Sequence, residues 1–249
     1  MRIVPVIDLK AGLVVRGIAG RRAEYCPVES QIASDPQPAS IARALVERFS
    51  AETVYVADLD AILGGEFDLA AYAAIAAAGL RSWLDAGIAD LAAARRLRAA
   101  LAAARLTADL VLGLESLATP AALGEMVALL GSRQTIFSLD LKAGKPLTRI
   151  PAWQSLAPAA IAQQAISAGV ERMILLDLAD VGTSGGTGTL DLCRELRKRY
   201  PQLELIAGGG VRGVNDLQRL AAAGADAALV ASALHDGRLT REDLREFRL

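Results

Sequence analysis

Short apolar runs rich in β-branched residues alternate along this chain with longer segments whose apolar positions recur every three or four residues. The short runs lie at 3–8, 53–58, 80–85, 109–113, 135–140, 172–177, 203–207 and 227–231. Runs of this length, bounded by Gly, Asp or Pro, predict buried strands. Between the first two, Ile41, Leu45, Val46 and Phe49 share one face and predict a helix over 38–49. Comparable segments predict helices over 68–78, 90–106, 120–130, 158–167, 190–199, 214–223 and 241–247. Thr119-Pro120 reads as an N-cap followed by proline at the first helical position. Residues 9–37 form a long connection rich in Gly, Arg and Pro, of the kind that often carries function in a compact domain.

Strand-then-helix units in series imply a parallel sheet with right-handed crossovers, and eight of them is the number that closes a barrel. The expected fold class is therefore α/β, a single (βα)8 TIM barrel. An open doubly wound sheet is the alternative. One stretch is written twice: Asp8-Leu9-Lys10-Ala11-Gly12 and Asp140-Leu141-Lys142-Ala143-Gly144. Further pairs follow in the same order: Asp58-Leu59 with Asp177-Leu178, Ala86-Gly87-Ile88 with Gly209-Gly210-Val211, and Val111-Leu112-Gly113 with Leu229-Val230-Ala231. They predict two (βα)4 half-barrel repeats, at about 1–132 and 133–249. Strands one and five then stand opposite each other, and Asp8 and Asp140 face across the C-terminal mouth, where barrels of this kind place their chemistry. Two carboxyls so placed are candidates for catalytic base and acid. The competing reading is a structural pair bonding loop amides.

Composition narrows the functions. With 53% hydrophobic and 22% charged residues the chain has the makeup of a folded globular protein. A net charge of −1 offers no basic field for nucleic acid. The longest apolar stretches are broken by charge or Gly, and Asp8 interrupts the first, so neither a membrane span nor a signal peptide is expected, and the location expected is cytoplasmic. Cys26 and Cys193 are expected to be free thiols, no His/Cys cluster suggests a metal, and no cofactor is expected. The lone histidine, His235, is expected at the surface or at a cap.

A phosphate signal follows strand seven in Gly208-Gly209-Gly210 and strand eight in Ala231-Ser232. Glycines let backbone N–H groups approach an anion, and barrels frequently place phosphate here. The candidate phosphate contacts are Gly209, Gly210, Ala231 and Ser232. The first-half counterparts carry Asp85 and Glu115, which would repel a phosphate, so one good and one altered phosphate site are expected. Lys10, Arg16, Asp177 and Thr183 are candidate substrate contacts, the last in a Gly/Thr-rich loop that reads as a cover for the substrate.

Pro5-Val6-Ile7-Asp8-Leu9, Val14-Val15-Arg16, Ala57-Asp58-Leu59-Asp60, Leu139-Asp140, Ala152-Trp153, Ala207 through Val211, and Ala233-Leu234 with Gly237-Arg238 together resemble the HisA/HisF family of histidine-biosynthesis barrels, over nearly the whole chain. That family comprises an aminoaldose–aminoketose isomerase and a cyclase that works with a glutaminase partner. The resemblance implies an isomerase doing Amadori-type acid–base chemistry on a small phosphorylated, sugar-derived substrate, with Asp8 as base and Asp140 in the position of the strand-five carboxylate. It also implies a substrate with two phosphates, one per half-barrel. Three departures keep alternatives open. The strand-six Thr of the isomerase is Leu176, and the later Asp-Gly-Thr reads Val181-Gly182-Thr183. Arg16-Gly17-Ile18 leans towards the cyclase. Tyr25-Cys26-Pro27-Val28 and the run from Tyr55 to Ile62 resemble a related group in methanogens and C1-metabolising bacteria, associated with methanopterin- or methanofuran-linked metabolism. A paralogue with another substrate, a non-catalytic phosphate-ligand binder and a subunit with a protein partner are the alternatives.

Overall fold

The protein is described from a computed structural model covering residues 1–181 and 188–248. Eight parallel strands carry the fold: β1 (Arg2–Lys10), β2 (Thr53–Asp58), β3 (Arg81–Asp85), β4 (Ala108–Gly113), β5 (Thr135–Lys142), β6 (Arg172–Asp177), β7 (Glu204–Gly208) and β8 (Ala227–Val230). They pair in sequence order, and β8 pairs with β1 from Arg2↔Ala227 to Pro5↔Val230. That last ladder closes the sheet into the (βα)8 barrel and removes the open doubly wound alternative. Between strands run α1 (Pro38–Phe49), α2 (Leu69–Ala77), α3 (Leu91–Ala103), α4 (Pro120–Leu130), α5 (Pro158–Ser167), α6 (Leu190–Arg199) and α7 (Val214–Ala222), with a short helix, Ser232–His235, after β8.

The period-two geometry of a strand sorts each side chain into one of two cores. Ile3, Ile7 and Leu9 of β1 point outward to the helices, while Val4 belongs to the inner cluster. In β5, Phe137, Leu139 and Leu141 pack outward and Ile136 inward. The inner cluster is completed by Tyr55, Trp83, Val111, Ile174, Ile206 and Leu229, so the barrel is filled rather than open. At its N-terminal end Trp83 lies under two guanidinium groups, Arg2 at 5.5 Å and Arg172 at 5.0 Å. Asp109 and Glu204 pair with Arg172 there. These partners satisfy the charges and close that end.

Helix starts follow local chemistry. Asp68, Asp90 and Thr119 sit as N-caps and accept the amides of Ala71, Ala93 and Ala122. The expected helices over 68–78 and 90–106 thus begin one residue later, with the Asp outside. The long connection after β1 is more ordered than expected. Leu13–Val15 turns back antiparallel on β1 through the two-residue turn Ala11-Gly12, with φ of 50° and 76°. After β5 the same turn recurs at Ala143-Gly144, with φ of 52° and 75°. Two successive positive φ values define the mirror-image hairpin turn that Gly favours at its second position. The doubled stretch therefore encodes an inward carboxyl followed by a hairpin. One expectation fails: residues 241–247 form turns, not a helix, and Arg248 bridges to Arg2. Only Leu244 in that stretch reaches deep burial, so a long helix has no apolar stripe to dock.

Asp58 is 1% exposed and faces outward between β2 and α2. It accepts the Ala61 and Asp68 amides at 3.0 Å each and the Tyr72 hydroxyl. Asp58→Ala leaves these three donors without an acceptor and should lower unfolding free energy by about 2–4 kcal/mol in urea titration, whereas Tyr72→Phe should cost about 1 kcal/mol. Equal effects would show that the cap amides contribute nothing.

Candidate functional site

The inward positions at the C-terminal ends of the strands are Asp8, Ala57, Asp85, Gly113, Asp140, Leu176 and Gly208. Most of these line a cavity of about 350 Å³ at the mouth of the barrel. Arg16, Gly17, Arg22 and Tyr25 of the connection after β1 form one wall, and Gly209, Gly210, Arg212, Ala231 and Ser232 form part of another. The structure thus gathers Asp8, Asp140, Arg16 and all four candidate phosphate contacts around one space.

It does not place Lys10 or Asp177 on that space. Residue parity is the reason for Asp177. Ile174 belongs to the inner cluster and Leu176 lines the mouth cavity, so Asp177 points outward. There it accepts the Ala143 amide at 2.9 Å, the Gly144 amide at 2.7 Å and the Ala179 amide at 3.0 Å, holding the second hairpin. Asp60 does the same for the first, accepting the Ala11 amide at 2.6 Å. Lys10 donates to the Arg22 carbonyl at 2.8 Å and supports the connection instead. Thr183 and the rest of its Gly/Thr-rich loop lie outside the described residues. His235, expected at the surface or at a cap, ends the short helix after β8 and is buried: its Nδ1 lies 2.8 Å from the Ser30 hydroxyl, and burial lowers its pKa to about 4.

Asp8 and Asp140 differ electrostatically. Burial raises Asp8 to about 7, against a smaller lowering by the Arg22 guanidinium. Asp140 is driven well above the ordinary carboxylate range, first by burial and then by the Glu115 charge, although the Ser138 hydroxyl donates to its Oδ1 at 2.6 Å. Among the described residues no well-aligned donor reaches its buried Oδ2, although the Glu115 backbone also lowers its proton affinity. Burial thus raises both carboxyls above the ordinary carboxylate range, which brings Asp8 to exchange its proton near neutrality.

The two ends of the cavity carry opposite charge. At the β7–β8 end, Gly209 and Gly210 adopt φ of 88° and 71°. A Cβ on Gly209 would stand 2.9 Å from the Asp177 carbonyl, so only glycine makes this turn. Arg16, Arg212 and Arg238 line this end. Asp236 takes both Arg16 terminal nitrogens at 2.8 Å and Arg238 at 2.9 Å, while Arg212 pairs with Asp216. At the β3–β4 end stand Asp85 and Glu115. Burial raises Asp85 to about 6 despite the Gly87 amide at 3.1 Å and the Tyr55 hydroxyl at 3.2 Å. Arg22 crosses the mouth to pair with Glu115. Arg22, Tyr25, Tyr55, Arg212, Asp236 and Arg238 were not legible as site residues. Only the Tyr55 and Ala57 parity on β2 carried a signal, since the arginines arrive from loops whose path no periodicity predicts.

A closed barrel with inward carboxyls on two opposite strands, an arginine-lined glycine turn and an apolar wall of Leu176, Leu178 and Val181 gives an α/β-barrel mouth that brings proton-exchanging groups and positive charge to one space. The chain belongs to the histidine biosynthesis protein family, whose profile matches residues 2–240. It is 32% identical over 98% of its length to a phosphoribosylamino-methylideneamino imidazole-carboxamide isomerase of Moorella thermoacetica, covering 96% of that protein. It is 30% identical to the isomerase of that name from Thermus thermophilus, over 96% of each chain. An uncharacterized protein of Methanocaldococcus jannaschii is 30% identical over 98% of this chain and 97% of its own. Among the described residues no helix is long and apolar enough to cross a membrane.

A carboxyl raised by the fold binds its proton more tightly folded than unfolded. Its destabilising effect is absent below its unfolded value near 4 and complete above about pH 7. Asp8→Asn should therefore melt higher than the wild type at pH 8, by up to roughly 8–16 °C for a chain of this size, with the difference closing towards pH 4. Calorimetry at the two pH values checks this, and a lower melting temperature at pH 8 would refute the burial argument.

Proposed function

We propose that the protein is an isomerase that converts a phosphorylated, sugar-derived aminoaldose to the aminoketose by proton transfer between Asp8 and Asp140. The carrying observation is the pair itself: two carboxyls on opposite strands, in one cavity, held at different proton affinities. Family membership supports the same reaction class. In this reading the substrate phosphate rests on the glycine turn at Gly209 and Gly210 and on Ala231 and Ser232, with Arg212 and Arg16 adding positive charge.

The chemistry follows from the two protonation states. Asp140 gives its proton to the sugar ring oxygen as the ring carbon–oxygen bond at C1 breaks, and the nitrogen lone pair forms the iminium. Asp8 takes the proton from C2, producing an enaminol. The Asp140 carboxylate then takes the enol hydroxyl proton and Asp8 returns its proton to C1, which completes the aminoketose, restores both carboxyls and leaves no net change in atoms. Both steps use general acid–base catalysis, worth about 10²–10⁴-fold each. Val181 stands at the cavity where the related isomerases carry an additional carboxylate, so the acid role falls to Asp140 alone.

The carboxylates at the β3–β4 end favour a paralogue's substrate, with one phosphate instead of two. The expected outcome is failure of the soluble wild-type protein to complement an isomerase-deficient histidine auxotroph, and growth would restore the histidine-pathway assignment. With a ribosylamine 5-phosphate followed by NMR, Asp8→Asn and Asp140→Asn should each lower kcat/KM by about 10²-fold or more. In the wild type kcat/KM should rise as pH approaches about 7, where Asp8 ionises, and Asp8→Asn should remove that rise. Unchanged turnover in either variant would sink the acid–base assignment.

A further inference from the structure

The β3–β4 end of the cavity is built unlike a phosphate site. Asp85 is 6% exposed and Asp140 5% exposed, and both carboxyls lean over Gly113. A Cβ on Gly113 would stand 3.2 Å from Asp140 Oδ2 and 3.4 Å from Asp85 Oδ2, so two acidic oxygens converge above one glycine. Glu115, from the turn after β4, lines the same end. Arg22 is the cation that reaches these groups, and Glu115 already holds it. Asp85 and Asp140 have hydroxyl and amide donors but no ion pair. Asp140 Oδ2, buried and facing this end, has no well-aligned hydrogen-bond donor among the described residues, the Glu115 backbone being the group that acts weakly on this carboxyl.

Asp85 and Glu115, the ionised pair here, share the single arginine Arg22, and a buried carboxylate is unfavourable unless it is paired, so this end attracts a further cation. An anion here would face the charges of Asp85 and Glu115 with one committed arginine to offset them. The opposite end sets three arginines against Asp236 and Asp216, which leaves a positive excess beside the glycine turn and the reverse preference. A ligand spanning the cavity would therefore be anionic at one end and cationic at the other.

We propose that the β3–β4 end is a subsite for a positively charged nitrogen of the substrate, an ammonium or amidinium group, held by Asp85 and Glu115 next to the open oxygen of Asp140. The subsite rests on the reading that the β7–β8 end takes the phosphate. It makes the substrate a zwitterionic amino-sugar monophosphate or a close relative. Asp85 and Glu115 carry the nitrogen's charge, and Asp140 is left to act at the sugar oxygen. Tyr55, whose hydroxyl donates to Asp85, fixes that carboxyl towards the cavity and is a positioning residue.

Two probes that differ in one group separate the outcomes: D-glucosamine 6-phosphate and D-glucose 6-phosphate, titrated calorimetrically at pH 7 beside inorganic phosphate. The wild type should bind the amino sugar about ten-fold or more tighter, the scale of one charge-assisted hydrogen bond. Asp85→Asn and Glu115→Gln should each reduce that preference to about three-fold or less, while phosphate affinity stays within about two-fold. Either variant alone carries the test should the other fail to fold. Equal wild-type affinity for the two sugars, or a preference that survives in the folded variants, overturns the ammonium subsite and leaves the phosphate reading standing. Failure of both sugars and of inorganic phosphate to bind overturns both.

Discussion

The site depends on the ladder that joins the last strand to the first. Arg2 through Pro5 pair with Ala227 through Val230, and this converts a twisted sheet into a closed wall. Closure brings the C-terminal ends of strands far apart in sequence around one space, so that Asp8 stands across from Asp140 and the glycine turn after β7 stands beside Ser232. It also removes water from the barrel interior. Tyr55, Trp83, Ile136 and Ile174 fill the space below the carboxyls, which therefore sit on an apolar floor. Desolvation by that floor is the largest influence on Asp8, Asp85 and Asp140 alike. Without closure these would be ordinary exposed carboxylates with no proton to exchange at neutral pH.

A second constraint is parity. A one-residue shift along a strand moves a carboxyl from the cavity to the helix layer. Asp8 and Asp140 have the inward parity; Asp58 and Asp177, at comparable strand ends, have the outward parity. The outward pair anchors structure, Asp58 at the start of α2 and Asp177 under the second hairpin. The hairpins in turn hold the rim: Asp60 clamps Ala11 and Asp177 clamps Ala143 and Gly144. The same residue type thus faces the cavity or anchors the surrounding architecture according to which face of the strand it occupies.

The cavity's two ends then differ by what the loops bring. Arginines converge on the glycine turn, and carboxylates converge over Gly113. The two halves of the chain share their strand ends and their hairpin turns, yet differ in charge at the two loop pairs that related barrels use for anions. A scaffold of this kind can keep its acid–base centre while changing what it holds at either end, because the centre lies on strands and the ends lie on loops.

Periodicity and local chemistry made most of the fold legible in the sequence. The eight strands, the cap at Thr119 and the barrel follow from spacing and from donors that need acceptors within a few residues. The doubled Asp-Leu-Lys-Ala-Gly stretch marked the two inward carboxyls correctly, because their parity is readable from Val4 and Val6 and from Ile136 and Ser138. Asp177 could have been set aside on the same reasoning, since Leu176 already takes the inward place. Tertiary structure alone decided the rest: the pairing of Arg22 with Glu115, of Arg16 with Asp236 and of His235 with Ser30, each joining residues 93 to 220 positions apart. It also decided the proton affinities. Those depend on what surrounds a carboxyl after the chain has closed, and no local pattern encodes distances between loops that meet only when the barrel forms.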